Sequence, residues 1–170
     1  MFAAPTPIPT PKPALPTTSA APQRVLTHRQ TYQVLSDFSR TDRIDLVKQG
    51  VPARLLTTLI EDMQTTQERL YAWLGIARAT ANRKVKADSL LNQDESERTL
   101  GLARLIGQVE TVVAESGNPE GFAAAPWLAA WLQRPNAALG GRPPGDFVDT
   151  ADGRALVSGL IAQMQSGAYA

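Results

Sequence analysis

Gln67-Glu68-Arg69-Leu70-Tyr71-Ala72-Trp73-Leu74-Gly75-Ile76-Ala77-Arg78-Ala79-Thr80-Ala81-Asn82-Arg83-Lys84-Val85-Lys86 reads as two short helices joined at Gly75. Glycine reaches the left-handed backbone that a tight joint between helices requires. Leu70, Leu74 and Ile76 are the apolar positions that pack such a pair together. The second helix carries Arg78, Arg83, Lys84 and Lys86 with no acid among them. Thr80 and Asn82 add short polar side chains that reach base edges or phosphates. These six residues form the candidate DNA-binding surface of a helix-turn-helix. Two features depart from the usual pattern. The position four before the turn glycine, commonly small where the helices touch, is Tyr71, and Ala72 comes one place late. The second helix has only Ala81 and Val85 as apolar anchors. A structural helical pair with a merely solvated basic edge is the competing reading.

Working upstream, Tyr32, Leu35 and Phe38, then Ile44, Leu46 and Val47, continue a helical pattern that starts near Arg24. Gly50 stops it, and Pro52 suits the first turn of a helix whose apolar stripe is Leu55, Leu56, Leu59, Ile60 and Met63. Before this, residues 1–22 hold seven of the 13 prolines. Alternating proline forbids helix, so this segment is expected to be a disordered, extended arm with polyproline character. Pro13 and Pro16 have PxxP spacing, though a plain solvated tail explains them as well.

Downstream, Asn92 with Glu95 three residues later predicts a capped helix start. The long helix that follows carries Leu100, Leu102, Ala103, Leu105, Ile106, Val109 and Val113 and ends near Gly117. Asn118-Pro119 predicts the next start, with Trp127, Leu128, Trp131 and Leu132 as the apolar face and the two tryptophans expected in the core. A turn-rich connector runs from Pro135 to Gly145. A last helix begins near Thr150, carries Leu156, Val157, Leu160, Ile161 and Met164, and is expected to stop at Gly167. No strand pattern or internal repeat emerges, so the fold expected is all-α.

Composition narrows the chemistry. The 170-residue chain has a formal charge of +1, so nucleic-acid binding must come from a local patch. It has no Cys and one His, His28, which leaves no Cys/His zinc site and an implausible catalytic triad. The reading is therefore a non-enzyme with no metal and no cofactor. No apolar run suits a membrane span, and the N-terminus does not read as a secretory signal, so a cytoplasmic location is expected.

The second half carries a recognisable pattern: Trp131-Leu132-Gln133-Arg134-Pro135-Asn136-Ala137-Ala138-Leu139-Gly140-Gly141-Arg142-Pro143-Pro144, then Thr150-Ala151-Asp152-Gly153-Arg154-Ala155-Leu156-Val157, then Gly167, with Ser96-Glu97-Arg98 upstream. This resembles the signature of the MbcA/ParS/Xre antitoxins, most closely the ParS-like members, over about residues 41–170. The resemblance implies an Xre-like helix-turn-helix half followed by a small helical toxin-binding half. It further implies a homodimer within a hetero-oligomeric complex, a RES-domain toxin acting on NAD as partner, and repression of the chain's own operator. The expected division is 1–23 as arm, 24–91 as Xre-like domain with its helix-turn-helix at 67–86, and 92–170 as toxin-binding domain.

In this family the C-terminal end plugs the toxin's NAD site. The residues here suit that role, because no side chain after Arg154 is charged. Tyr169 is a candidate aromatic anchor. The expected toxin-binding residues are Arg142, Arg154, Gln165, Ser166, Gly167, Ala168, Tyr169 and Ala170. Arg142 either faces the toxin or pairs with Asp146 to fix the connector. A helix-turn-helix regulator without a toxin is the alternative function.

Overall fold

The computed structural model describes residues 31–117 and 119–165. The Pro-rich arm, the Pro13/Pro16 pair, His28, Asn118 and the tail from Ser166 to Ala170 lie outside the described residues. Among the described residues are eight α-helices: α1 (Thr31–Asp37), α2 (Arg40–Gln49), α3 (Arg54–Asp62), α4 (Gln67–Leu74), α5 (Arg78–Lys86), α6 (Gln93–Glu115), α7 (Ala124–Trp131) and α8 (Ala151–Gln165). Two 3-10 turns, Ala137–Leu139 and Pro144–Phe147, shape the connector between α7 and α8. These residues form no strand, and Pro52 and Leu90 make an isolated bridge.

Ser39 splits the first apolar pattern into two helices. Its hydroxyl accepts from the Asp42 amide at 3.2 Å and caps α2. The chain then passes through the buried Val51 and Ala53. Their backbone groups are satisfied by Leu91 N–H donating to Val51 O (2.8 Å), Ala53 N–H donating to Ser89 O (2.9 Å) and Val51 N–H donating to Ser96 Oγ (3.1 Å). The next helix, α3, begins at Arg54, just after Pro52.

The 23-residue α6 is the axis of the molecule. It opens on the expected capping box: Glu95 N–H donates to Asn92 Oδ1 and Asn92 N–H donates to Glu95 Oε2, each at 2.8 Å. Leu102, Ala103, Leu105, Ile106 and Val109 are buried, and α1, α2, α7 and α8 all pack on it. At Gly107 a Cβ would strike the Tyr32 carbonyl oxygen and Ser36 Oγ, so α1 crosses closer than a side chain permits. Tyr32 also donates to Asp62 at 2.7 Å, tying α1 to α3. Burial first, and Asp62 second, push the Tyr32 pKa up and keep it a donor.

The start of α7 differs from expectation. It begins at Ala124 instead of 118–119, and residues 119–123 turn, with Gly121 at φ +75 interrupting any helix there. Pro126 falls in the first turn, where its missing N–H is harmless. Leu128 and Leu132 are fully buried, whereas Trp127 and Trp131 are half-buried at the core's edge. The two indoles stack with centroids 6.0 Å apart and planes 7° apart. The connector folds back on α4: Gly145 N–H donates to Leu132 O at 2.8 Å, and a Cβ at Gly145 would lie 2.5 Å from Trp73 Nε1.

Candidate functional site

The expected binding residues fall on two surfaces, one around α4 and α5, the other around α8. Thr66 caps α4 by accepting from the Arg69 amide at 3.2 Å. Gly75 ends it in the left-handed conformation at φ +58. Ile76 N–H donates to Tyr71 O at 3.0 Å and Gly75 N–H to Ala72 O at 3.1 Å, the hydrogen bonding of a Schellman turn. Leu70, Leu74, Ile76 and Ala81 are buried, which seats α5 against α4.

Tyr71 fits at the joint because its ring is buried and its hydroxyl donates to Asn82 Oδ1 at 3.2 Å. Burial is the main cause of its raised pKa, ahead of Arg78, which lowers it, and Glu68. The hydroxyl therefore stays protonated as a donor. Asn82 is thus held from beneath, with its residue exposed on the outer side of α5.

Arg78, Arg83 and Lys86 are exposed with Asn82, and Thr80 is half-buried. Arg78 meets Glu68 at 2.8 Å, an exposed pair that a competing anion readily breaks. Arg83 and Lys86 form no salt bridge among the described residues. Lys84 corrects the expected DNA-binding set. Its ammonium points inward, 2.5 Å from Glu95 Oε2, with side-chain exposures of 17% and 7%. It fastens α5 to the start of α6 and is withdrawn from the outer face.

In the C-terminal half, Arg142 is exposed, 3.8 Å from Asp146, with its guanidinium 4.3 Å from the centre of the Phe147 ring. The pairing with Asp146 is present, yet the group remains open to a partner. Arg154 corrects the expected toxin-binding set. It is buried, donates to Val148 O at 2.9 Å and reaches both carboxylate oxygens of Glu97. Gly101 makes the room, because a Cβ there would strike Arg154 Nε. Arg154 is a strut between α8 and α6. Glu97 and Gly101 were not singled out for this role by sequence reasoning. The available signal was a glycine in mid-helix, disfavoured by about 1 kcal/mol unless something needs the space. Gln165 ends α8, and the remaining expected toxin-binding residues, Ser166 to Ala170, lie outside the described residues.

Among the described residues, no group of three or more His, Asp or Glu side chains is placed to hold a metal, and no helix is long and apolar enough to cross a membrane.

The arrangement defines a binding protein in two parts, a helix-turn-helix with a basic outer face and a helical C-terminal half built around α8. Residues 42–104 match the antitoxin Xre-like helix-turn-helix domain, and residues 119–167 match the antitoxin Xre/MbcA/ParS C-terminal toxin-binding domain. A relative from Sphingobium sp. (strain YBL2), the Prs ADP-ribosylating antitoxin, is 44% identical over 139 residues, covering 82% of this chain and 87% of that protein. The chain belongs to the Xre/MbcA/ParS antitoxin family. It is an antitoxin with a helix-turn-helix domain and a toxin-binding domain, and neither domain is of an enzyme class.

Proposed function

We propose that this antitoxin neutralises a RES-domain toxin that consumes NAD or uses it for ADP-ribosylation, by laying its C-terminal segment over the toxin's active site. The observation that carries this reading is the anchoring of α8. The Arg154 strut fixes the first turn of the helix to α6 through Glu97, and from Ala155 onward no side chain is charged. A rigid base leading into an uncharged segment suits burial in a partner's cleft, since desolvating that segment strips no charge of water. The name of the Sphingobium relative connects that protein with ADP-ribosylation, which favours the ADP-ribosylating branch here. Gln165, Ser166, Gly167, Ala168, Tyr169 and Ala170 are the proposed contacts, with Arg142 at the edge.

The same chain is proposed to repress its own operon as a homodimer, through Arg78, Thr80, Asn82, Arg83 and Lys86 on α5. The exposed, acid-free outer face of that helix supports this second activity.

The test is NAD consumption by the purified toxin with the full-length chain or with one truncated after Gln165. Inhibition by the full chain that the truncation abolishes is the expected result. Full inhibition by the truncated chain would remove the plug and leave the helix faces as the inhibitory surface.

A further inference from the structure

Among the described residues, the long helix α6 is left open along one side. There α2 and α8 stand as walls, and together with the end of α1 these helices line a trough of about 910 Å³. The floor residues recur at helical intervals, from Gln93 through Gly101, Arg104 and Gln108 to Glu115. The α8 wall presents Ala151, Ala155, Ser158 and Ala162, one turn apart. The α2 wall presents Ile44, itself 44% exposed, and Val47. Three helical stripes around an open channel have the geometry that receives a fourth helix, and the small residues of α8 permit close approach.

Charge narrows the occupant. Arg40, Arg43, Lys48 and Arg104 face the trough. Of its acids, Asp37, Glu97 and Glu115, Glu97 is already committed to Arg154. Arg40 and Arg43 also sit in the first turn of α2, where the helix dipole disfavours cations. Burial, and then the like charges of Arg43 and Arg154, lower the Arg104 pKa. An incoming carboxylate relieves that repulsion. The chain's own first 30 residues contain no Asp or Glu and three basic residues, Lys12, Arg24 and Arg29, so they are the wrong sign for this channel. The α8 wall lies within residues 119–167, the stretch matching a toxin-binding domain.

We infer that the trough receives an acidic amphipathic helix of the toxin, a second contact separate from the C-terminal segment. This rests on the antitoxin reading, but not on the toxin being of the RES class or on occlusion by the tail.

Two variants of the full-length chain test it, with the cognate toxin protein as probe. Arg40→Glu combined with Arg104→Glu reverses the channel's sign. Ala155→Trp fills the channel from an exposed position, so the fold is retained. Toxin affinity is measured by calorimetry at low and high salt, with thermal melts as the control for folding. Each variant should weaken binding about tenfold or more, and the charge reversal should flatten the salt dependence. Unchanged affinity in both folded variants overturns the inference. So does competition by millimolar inorganic phosphate that matches the loss in the charge variant, which would make this a small-anion site. Dissociation of a homodimer by the variants with toxin affinity intact would assign the trough to a second copy of the chain. Failure of the unmodified chain to bind toxin would overturn the inference through the antitoxin reading itself, a result distinguishable from selective failure of the variants.

Discussion

Arg154 shows how far a single residue's role depends on its neighbours. A guanidinium with 7% of its side chain exposed must be hydrogen-bonded and neutralised, and here a carbonyl and one carboxylate do both. Removing Glu97 leaves a buried cation, and removing Arg154 leaves the Val148 carbonyl without this donor. Glu97→Ala and Arg154→Ala are each expected to destabilise the fold by about 2–3 kcal/mol in urea unfolding. The double variant should cost clearly less than their sum, because neither charge is then stranded. Strict additivity would mean that the pair does not hold α8 to α6. Arg154 was legible as a motif residue, but its burial was not. Burial here depends on Gly101 and Glu97, which lie more than fifty positions earlier in the chain. The inward turn of Lys84 was hidden for the same reason, since its carboxylate belongs to the following helix.

Helix ends were legible where the signal is local and unopposed. The Asn92–Glu95 box lies within one turn, and Gly75 closes α4 on hydrogen bonds within its own neighbourhood. The start of α7 was misread because Asn118-Pro119 is followed by Gly121 in a positive-φ conformation, and that local preference overrode the start signal. The outer and inner faces of α5 give the sharpest prediction at this scale. Arg83→Ala should weaken operator binding and flatten its salt dependence, while stability stays within about 0.5 kcal/mol. Lys84→Ala should do the reverse, destabilising by roughly 2 kcal/mol because Glu95 loses its buried partner, with the salt dependence of DNA binding unchanged. Equal salt-dependence effects from both variants, measured by fluorescence anisotropy, would place Lys84 back on the DNA face.

At the scale of the whole molecule, the all-helical class and the order of the two parts were legible from periodicity and motif. The way the parts share one interior was not. The core runs from Tyr32 to Ile161 as a single cluster. The axial helix α6 serves both parts, bound to α5 through Lys84–Glu95 and to α8 through Glu97–Arg154. Trp73 of the helix-turn-helix packs on Gly145 of the connector. Two linked but independent domains would unfold in two steps, whereas a shared core predicts one. Calorimetric and van't Hoff enthalpies of thermal unfolding should therefore agree, and helical circular dichroism should be lost together with the tryptophan signal. Asn92→Ala, which removes the cap of α6, should lower the single transition by an amount corresponding to about 1 kcal/mol without splitting it. A second transition in either protein, or a tryptophan signal that leads the loss of helix, would show that the two parts fold separately. The toxin-binding half would then not be held rigidly by the helix-turn-helix half. With one shared core, the helix α6 that packs against α8 is also tied to α5 through Lys84–Glu95, which gives toxin capture and the proposed operator binding a physical route of coupling.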